Sequence, residues 1–151
     1  VVGNKIGEGD SFGAYIYAKK SIKIAMLFGV ISGIVLFTAT PFILSFFNIK
    51  QETYQAAVTA MQILSIIISF RFLNFMLIIG SFRAGGDTVF SAIIDVLFLW
   101  GIGIPLAFAG TIWWNLPIYI VIGLVGIEEL FKSFFGSMRF KSKKWIINLT
   151  N

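Results

Sequence analysis

The sequence predicts an all-α fold, a polytopic membrane helix bundle with four transmembrane helices. Hydrophobic residues make up 58% of the chain, charged residues only 13%, and the mean hydropathy is +0.91. A soluble domain carries about 25% charged residues, so this chain has too little polar surface to cover a globule in water. The apolar residues also form runs of bilayer-spanning length, and only helices and closed barrels satisfy their backbone groups inside lipid.

The first element, residues 1–23, precedes the first long apolar run and combines glycines with basic residues. Asp10 and Ser11 can cap a short helix that runs toward Lys20. Apolar and aromatic residues recur along it at nearly helical spacing and lysines follow, which is typical of an amphipathic helix lying in the membrane interface. An ordinary cytoplasmic loop is the alternative interpretation.

The apolar segments that follow account for the transmembrane bundle. At about 1.5 Å per residue, each is long enough to cross a hydrocarbon core of roughly 30 Å. In the first, Ala25, Gly29 and Gly33 share one face, and small residues at this spacing let a neighbouring helix approach closely. The predicted transmembrane helices are residues 24–47, 56–82, 89–109 and 116–136, and a basic tail over residues 137–151 follows them.

Lysine and arginine residues indicate how the bundle is oriented. Those before the first helix, those between the second and third, and those at and after the end of the fourth fall on one side of the predicted membrane. Lys50 alone falls on the other side. Because cytoplasmic loops carry the excess of positive charge, both ends of this chain are predicted to be cytoplasmic. The expected location is the plasma (inner) membrane, as a multi-pass protein.

A short polar turn separates the second and third predicted helices. Gly85 and Gly86 give its backbone the freedom to reverse, since glycine reaches positive φ without a Cβ clash. Asp87 or Thr88 can then cap the next helix by accepting from its free N–H groups. Arg83 is expected among the lipid headgroups. We interpret the turn as a structural, hinge-like connector.

This turn resembles an earlier stretch of the chain. The sequence Gly7-Glu8-Gly9-Asp10-Ser11 precedes the first predicted helix much as Ala84-Gly85-Gly86-Asp87-Thr88 precedes the third. Both stretches are predicted to be cytoplasmic, and each leads into an outward-going helix. Membrane transporters often contain structural repeats, and two short turns form a weak internal repeat of that kind.

Charged and polar residues inside the apolar segments are the candidate functional positions. Arg71 lies near the middle of the second predicted helix with Asn74 nearby, Asp95 lies in the third helix and Glu128 in the fourth. A charge at such depth costs at least about 2.5 kcal/mol on insertion scales, so it usually faces a bundle interior or a water-filled cavity and has a partner. For Arg71, the alternatives are a structural ion pair and a side chain that snorkels to the headgroups.

The depths of these residues allow them to meet. Counted from the same side at about 1.5 Å per residue, Asp95 is about 9 Å deep, Glu128 about 12 Å and Arg71 about 16 Å. We therefore predict a network that joins Arg71 to Asp95 and Glu128 and either gates the cytoplasmic side or takes part in proton coupling. Lys132, four residues after Glu128, is a competing partner for that carboxylate.

Several classes of function are not indicated by the sequence. The chain has no Cys, no His and no phosphate-binding glycine loop, so we predict no enzyme activity, no catalytic residue, no metal site and no cofactor. The net charge of +5 comes from residues flanking the helices, so the predicted partner is the lipid bilayer and no nucleic acid. The chain begins at Val1 rather than Met, and we expect it to be a piece of a longer polypeptide.

Several motifs resemble the multidrug and toxic compound extrusion (MATE) transporters. The glycine–aspartate turns are the most specific of them, and the resemblance extends over nearly the whole chain. The stretches that carry it are Val2–Gly7 with Gly9 and Asp10, Phe82–Thr88, Ile94–Val96 with Trp100, Gly103–Ala107, and the ending from Glu128 through Arg139 to Trp145.

The resemblance implies a fold and a function that extend beyond this chain. Family members have twelve helices in two six-helix bundles around a central cavity, so the four helices would be the ninth to twelfth and form part of the C-terminal lobe. The family exports organic cations and other amphiphilic molecules in exchange for Na⁺ or H⁺ by alternating access. The implied partners are the N-terminal bundle of the same polypeptide and amphiphilic or cationic small molecules, with Na⁺ or H⁺ as the coupling ion of the full-length protein.

Arg71 and Asn74 fall on the helix that would be the tenth, which faces the cavity in this family. Some branches carry a cation-binding acid there, whereas this helix has Arg71 and no carboxylate, which implies a cation site in the N-terminal bundle instead. Two alternatives to a cation-coupled multidrug efflux antiporter stay open. One is a lipid-linked oligosaccharide flippase of the same superfamily, and the other is a non-transporting four-helix membrane scaffold subunit.

Overall fold

The computed structural model describes residues 1–147, and within them the protein is all-helical, as predicted. Three of its helices are long and apolar enough to cross a membrane, and they are α2, α3 and α4 below. Counting each uninterrupted run of helical turns as one helix, the described residues form α1 (Val2–Gly7), α2 (Ser11–Ser45), α3 (Gln51–Arg83), α4 (Thr88–Trp113) and α5 (Ile118–Lys141).

The fourth predicted span corresponds to α5, which differs from the other three in its charge. It is 24 residues long but carries Glu128, Glu129 and Lys132 within its apolar part. The helix also continues to Lys141, beyond the end predicted for it at residue 136. The basic tail predicted over residues 137–151 therefore begins inside α5, and its last four residues lie outside the described part of the chain.

The first helix begins earlier than predicted. The interfacial helix and the first transmembrane helix form a single element, α2, which starts at Ser11 and runs to Ser45. Asp10 caps it, and the Asp10 carboxylate accepts a hydrogen bond of 2.8 Å from the backbone N–H of Gly13. The boundary at residue 24 is absent because the residues around it, Lys-Ile-Ala, contain nothing that interrupts a helix.

Helices α2 and α3 pack closely where α2 presents its glycines. A Cβ at Gly33 would collide with the Ser65 carbonyl oxygen, and one at Gly29 would lie 3.0 Å from the Ser69 carbonyl oxygen. The Ser69 hydroxyl donates to the Gly29 carbonyl at 3.2 Å. The close approach predicted from the small residues of this helix is confirmed at these two glycines.

Wide π-helical turns interrupt both α3 and α4. The last eight residues of α3, Met76–Arg83, are π-helical, and α4 contains two shorter π-helical segments at Leu99–Gly103 and Ala109–Trp113. Pro105 follows the first of the two and has no N–H to donate to the turn before it. Such segments rotate the helix faces beyond them, and they are frequent at functional sites.

The main apolar cluster lies at the end of the bundle where α1 and the C-terminal segment meet the α3–α4 turn. Its largest members are aromatic, and two of them, Phe82 and Trp145, are completely enclosed. Along α2, in contrast, most large apolar side chains are exposed, as expected of a helix that faces lipid or further helices. The buried members of the cluster are Val2, Ile6, Ala14, Ala18, Leu77, Ile78, Phe82, Ile94, Phe98, Phe140 and Trp145.

Candidate functional site

Polar and charged side chains meet in a groove between α3, α4 and α5, at a position where all three helices are otherwise apolar. Four of them on α5 occur within six consecutive residues, and most are buried. We call this group the polar cluster. It consists of Arg71, Asn74, Asp95, Glu128, Glu129, Lys132 and Ser133.

One half of the polar cluster is centred on Glu129. Its carboxylate accepts from Arg71 Nε at 3.2 Å and from Asn74 Nδ2 at 2.7 Å, and Asn74 Nδ2 also lies 2.9 Å from the Glu129 carbonyl oxygen. The Ser133 hydroxyl contacts both Asn74 Oδ1, at 2.9 Å, and the Glu129 carbonyl oxygen, at 2.8 Å. These bonds join α3 to α5 through groups that are almost fully satisfied.

The other half is centred on Lys132. Its ammonium lies 2.7 Å from Glu128 Oε1 and 3.5 Å from Asp95 Oδ1. Asp95 is also paired through Oδ2 with Arg83 Nη2 at 3.4 Å, and Arg83 Nε donates to the Ser91 hydroxyl at 3.4 Å. A chain of ion pairs therefore crosses from α5 through α4 to the end of α3, with short contacts on α5 and longer ones to α4.

Glu128 has one oxygen that is buried without a hydrogen-bond partner in the described part of the chain. That oxygen, Oε2, lies against Gly103 of α4, where an added Cβ would collide with it. Gly103 therefore allows α4 to approach a carboxylate that is 94% buried, given its exposed fraction of 6%. An unsatisfied buried carboxylate oxygen is costly, and such groups call for a functional or solvent-based explanation.

The network predicted to join Arg71 to Asp95 and Glu128 forms between Asp95 and Glu128, but the prediction is wrong for Arg71. Arg71 pairs with Glu129 instead, because Glu129 faces α3 while Glu128, one residue earlier and about 100° around the helix, faces α4. Lys132, which was predicted as a competing partner, joins Glu128 to Asp95. Asn74 lies in the cluster, whereas Glu129 and Ser133 were not among the predicted site residues.

Arg71 is the exposed member of the cluster. Its side chain is 60% exposed although it belongs to the middle of α3, and it faces the open side of the groove. Two neighbouring cavities, of about 250 and 180 Å³, are both lined by Arg71 and Glu129. The larger cavity is bordered mainly by apolar side chains and the smaller one by Asp95 and Lys132.

In the turn between α3 and α4, a glycine adopts the positive φ that was predicted. The aspartate of the turn makes a different contact from the predicted one. Gly86 has a φ of 91°, which confirms the need for glycine. Asp87 occupies the N-cap position of α4, but the predicted cap bond from its side chain is absent. Its buried carboxylate accepts from Arg139 Nε at 2.8 Å instead, because α5 brings a guanidinium next to it.

Residues 142–147 fold back over this turn, and we call them the C-terminal hook. Trp145 is completely buried, stacks on Phe140 with a centroid distance of 5.3 Å, and donates from its indole N–H to the Phe140 carbonyl at 3.1 Å. The backbone N–H of Ile147 donates to the Gly85 carbonyl at 2.8 Å. The hook therefore ties the end of α5 to the α3–α4 turn.

The two glycine–aspartate turns are also alike in conformation. Gly9 and Gly86 have φ values of 81° and 91°, and the aspartates that follow them, Asp10 and Asp87, both have a φ of −86°. The backbone repeat suggested by the sequence is therefore present. The aspartate side chains differ in use, since Asp10 caps its own helix and Asp87 binds α5.

The comparison with protein families decides the classification. The MatE family model matches residues 1–109, which include α1 to α3 and most of α4. This chain belongs to the MatE family. Members of the MatE family are transporters rather than enzymes, and the apolar helices agree with a multi-pass membrane protein. No curated protein and no solved structure matches the chain.

The match to the MatE family covers only part of the polar cluster. Arg71, Asn74, Asp95 and the α3–α4 turn lie within the matched residues, whereas α5 lies after them. The α5 side chains of the cluster are therefore placed by the structure alone, through their contacts with α3 and α4.

Proposed function

We propose that this chain is the C-terminal portion of a cation-coupled multidrug efflux antiporter that works by alternating access. Membership of the MatE family supports transport, and the polar cluster supports a coupled mechanism in this part of the molecule. Ionisable groups within membrane helices are costly, and they usually mark ion pathways, substrate sites or gates. The observation that carries the proposal is the buried Glu128–Lys132 pair facing Asp95 across α4 and α5.

The ion pairs suggest how such a gate operates. The Lys132–Glu128 contact is short and buried, whereas the Lys132–Asp95 contact is 3.5 Å long and involves a carboxylate that is 38% exposed. The Lys132–Asp95 pair between α5 and α4 is therefore the weaker of the two, and solvent or a coupling ion can replace it more easily. Opening it would let α4 move relative to α5 at its π-helical segment, while Lys132 stays paired with Glu128.

The proposed membrane arrangement follows from the charge distribution. The α3–α4 turn and the C-terminal hook share one end of the bundle, and that end also holds most of the lysines and arginines. By the positive-inside rule this end is cytoplasmic, in the plasma (inner) membrane. The N-terminal bundle of the same polypeptide is the proposed partner of the open groove, with amphiphilic or cationic small molecules as substrates and Na⁺ or H⁺ as coupling ion.

Charge balance in the groove supports an antiporter over the lipid-linked oligosaccharide flippase of the same superfamily. Three cationic side chains, Arg71, Arg83 and Lys132, are each paired with a carboxylate. A flippase of this superfamily, whose cavities are more cationic, would be expected to hold a clear excess of unpaired cations.

Replacement of the cluster acids tests the proposal. In the full-length protein, we expect Glu128→Gln to reduce the efflux rate of a cationic fluorescent dye by at least about tenfold, the effect of losing roughly 1.4 kcal/mol of stabilisation along the transport cycle. Asp95→Asn is expected to act in the same direction with a smaller loss, since its contacts are longer. Both are measured in proteoliposomes under an imposed Na⁺ or H⁺ gradient.

Glu52→Gln is the matched control. Glu52 lies exposed in the first turn of α3, and its replacement removes one acid without touching the polar cluster. We expect transport by this variant to equal that of the unmodified protein. Unchanged transport and unchanged ion coupling in both Glu128→Gln and Asp95→Asn would leave the cluster with a structural role alone.

A further inference from the structure

The end of the bundle that the C-terminal hook closes carries more positive charge than its own acids balance. Lys5 pairs with both Glu8 and Asp10. Arg139 pairs with Asp87. Within residues 1–147, the remaining lysines at this end form no ion pair and are exposed, which leaves a surplus of cations for an external anion. These lysines are Lys19, Lys20, Lys23, Lys141, Lys143 and Lys144.

The hook places one of these lysines against α2. Lys143 Nζ lies 4.9 Å from the centroid of the Tyr15 ring, and Tyr15 stacks on Phe140 at 5.2 Å. Lys143 has a φ of 58°, the left-handed conformation that glycine usually supplies just after a helix. A glycine would adopt this conformation without strain, but only a lysine puts an ammonium over the Tyr15 ring.

Helix α2 supplies two more lysines beside that ammonium. Lys19 and Lys23 follow Tyr15 by four and eight residues, so they lie within about 80° of it around the helix. Helical side chains lean toward the N-terminus, which brings Lys19 back toward the Tyr15 ring. We call Lys19, Lys23 and Lys143 the lysine group. It combines cations from two elements that the Tyr15–Phe140 stack holds together.

The same face of α2 continues from the lysine group into an apolar groove. The groove lies between α2 and α3 and has a volume of about 370 Å³. Val30 begins it about 10 Å beyond Lys23 along the helix axis, and Ile34 and Phe37 continue it. Since α2 is long and apolar enough to cross a membrane, the lysines lie at headgroup depth and the groove at acyl-chain depth.

We propose that the lysine group binds the phosphate of an anionic phospholipid, one acyl chain of which lies in the α2–α3 groove. Ammonium groups bind phosphate oxygens as point charges, and clustered lysines beside a membrane helix select lipids with a net negative charge. The bound lipid joins the C-terminal hook to α2. It is a resident component of this end of the bundle and not a transported substrate, so the inference goes beyond the proposed antiport.

Lipid titration of the purified full-length protein tests the inference. Phosphatidylglycerol or phosphatidylcholine is added in detergent, and native mass spectrometry counts the lipids bound. We expect Lys143→Gln to weaken the tightest phosphatidylglycerol site about fivefold, and the triple replacement of the lysine group by Gln to weaken it at least about tenfold. Lys143→Arg keeps the charge and should bind within about twofold of the wild type. Binding of phosphatidylcholine should stay within about twofold in every variant.

Three further variants separate a built site from general attraction to charge. Lys50→Gln is the matched control, because Lys50 is an exposed lysine at the opposite end of α2, and it should change nothing. Lys143→Gly removes the ammonium but suits the positive φ, so we expect weaker lipid binding with an undiminished melting temperature in lipid-free detergent. Trp145→Ala releases the hook with every lysine present, and it should weaken phosphatidylglycerol binding as much as Lys143→Gln does.

Several results would overturn the inference. One is an unchanged phosphatidylglycerol affinity in the triple variant, as expected if an acidic segment elsewhere in the full-length protein covers the lysines. Equal losses in Lys50→Gln and Lys143→Gln would show diffuse attraction instead of a site. Displacement of the lipid by an equal concentration of glycerol phosphate would assign the lysines to a soluble phosphate. Lipid binding in detergent involves no transport, so failure of the proposed antiport leaves these outcomes unaffected.

Discussion

Gly85 and Gly86 are neighbours in the sequence but satisfy different physical requirements. Gly86 has a φ of 91°, a backbone conformation that side chains rarely allow. Gly85 is buried and needs its hydrogen for space, since an added Cβ would collide with the Trp145 ring and lie 2.8 Å from the Ser81 carbonyl oxygen. The sequence predicts the first requirement from the residue type, whereas the second depends on a side chain 60 positions away.

Replacement of Gly85 by Ala should therefore destabilise the protein through steric overlap, because Gly85 does not have a positive φ. We expect a loss of about 1–3 kcal/mol in the free energy of unfolding, the usual cost of overpacking, measured by thermal denaturation in detergent. Gly101→Ala is the control, because a Cβ at Gly101 in α4 meets nothing within 4 Å. Equal melting temperatures for the two variants would contradict the proposed contact with Trp145.

The polar cluster shows that the depth of a residue in a membrane helix can be predicted from the sequence, whereas its contact partners cannot. Depth along the helix follows from residue counting, and Arg71, Asp95 and Glu128 do lie near one groove. The partners depend on helix rotation, which apolar runs do not define because lipid-facing and buried positions are equally hydrophobic. The π-helical turns of α3 and α4 add further rotation. Glu129 carried the same signal as Glu128, a carboxylate inside the fourth predicted helix, but residue counting did not show which of the two faces α3.

Among the elements, the C-terminal hook is one that the sequence did not predict. A basic tail with a single tryptophan has no periodicity, so nothing in its pattern distinguishes it from a disordered end. In the structure it makes an antiparallel bridge between Ile146 and Gly86, and Lys143 lies 4.9 Å from the centroid of the Tyr15 ring. The helices themselves were predictable, because their length and hydrophobicity are local properties.

Loss of the Trp145 side chain should release the hook. We expect Trp145→Ala to lower the free energy of unfolding by about 3–5 kcal/mol, the typical cost of deleting a large buried aromatic side chain. The C-terminal segment should also become cleavable by trypsin after Lys143 or Lys144. Trp100→Ala is the matched control, since Trp100 in α4 is 65% exposed, and its cleavage pattern should equal that of the wild type. Protection of the tail in Trp145→Ala would contradict the packing role.

At the scale of the whole molecule, the α3–α4 turn and the C-terminal hook share one end and the α2–α3 connection lies at the other. This follows from three consecutive long helices and from the contact between Ile147 and Gly85. The sequence gives the same arrangement through its charge asymmetry, with Lys50 as the exception. The orientation prediction depends on lysines and arginines near the helix ends, so an error of a few residues in a helix boundary does not change it.

The proposed orientation is testable because the chain contains no cysteine. In a full-length protein freed of other cysteines, we expect Gln51→Cys to react with a membrane-impermeant maleimide in intact cells, since Gln51 is exposed at the start of α3. Lys144→Cys should react only after permeabilisation, because the hook is proposed to be cytoplasmic. The reverse pattern would invert the bundle and overturn the cytoplasmic gate.

The closure of this end by α5 and the hook also determines when the apolar core can form during synthesis. Tyr15 stacks on Phe140 at 5.2 Å, so residues 125 positions apart close the apolar core at this end of the bundle. During synthesis the Gly85 turn and Phe82 stay uncovered until α5 and the hook have left the ribosome. If translation stops early, helices that are already inserted in the bilayer are released without α5 and the hook. The apolar surface at the α3–α4 turn is then exposed, and cellular quality control can bind it.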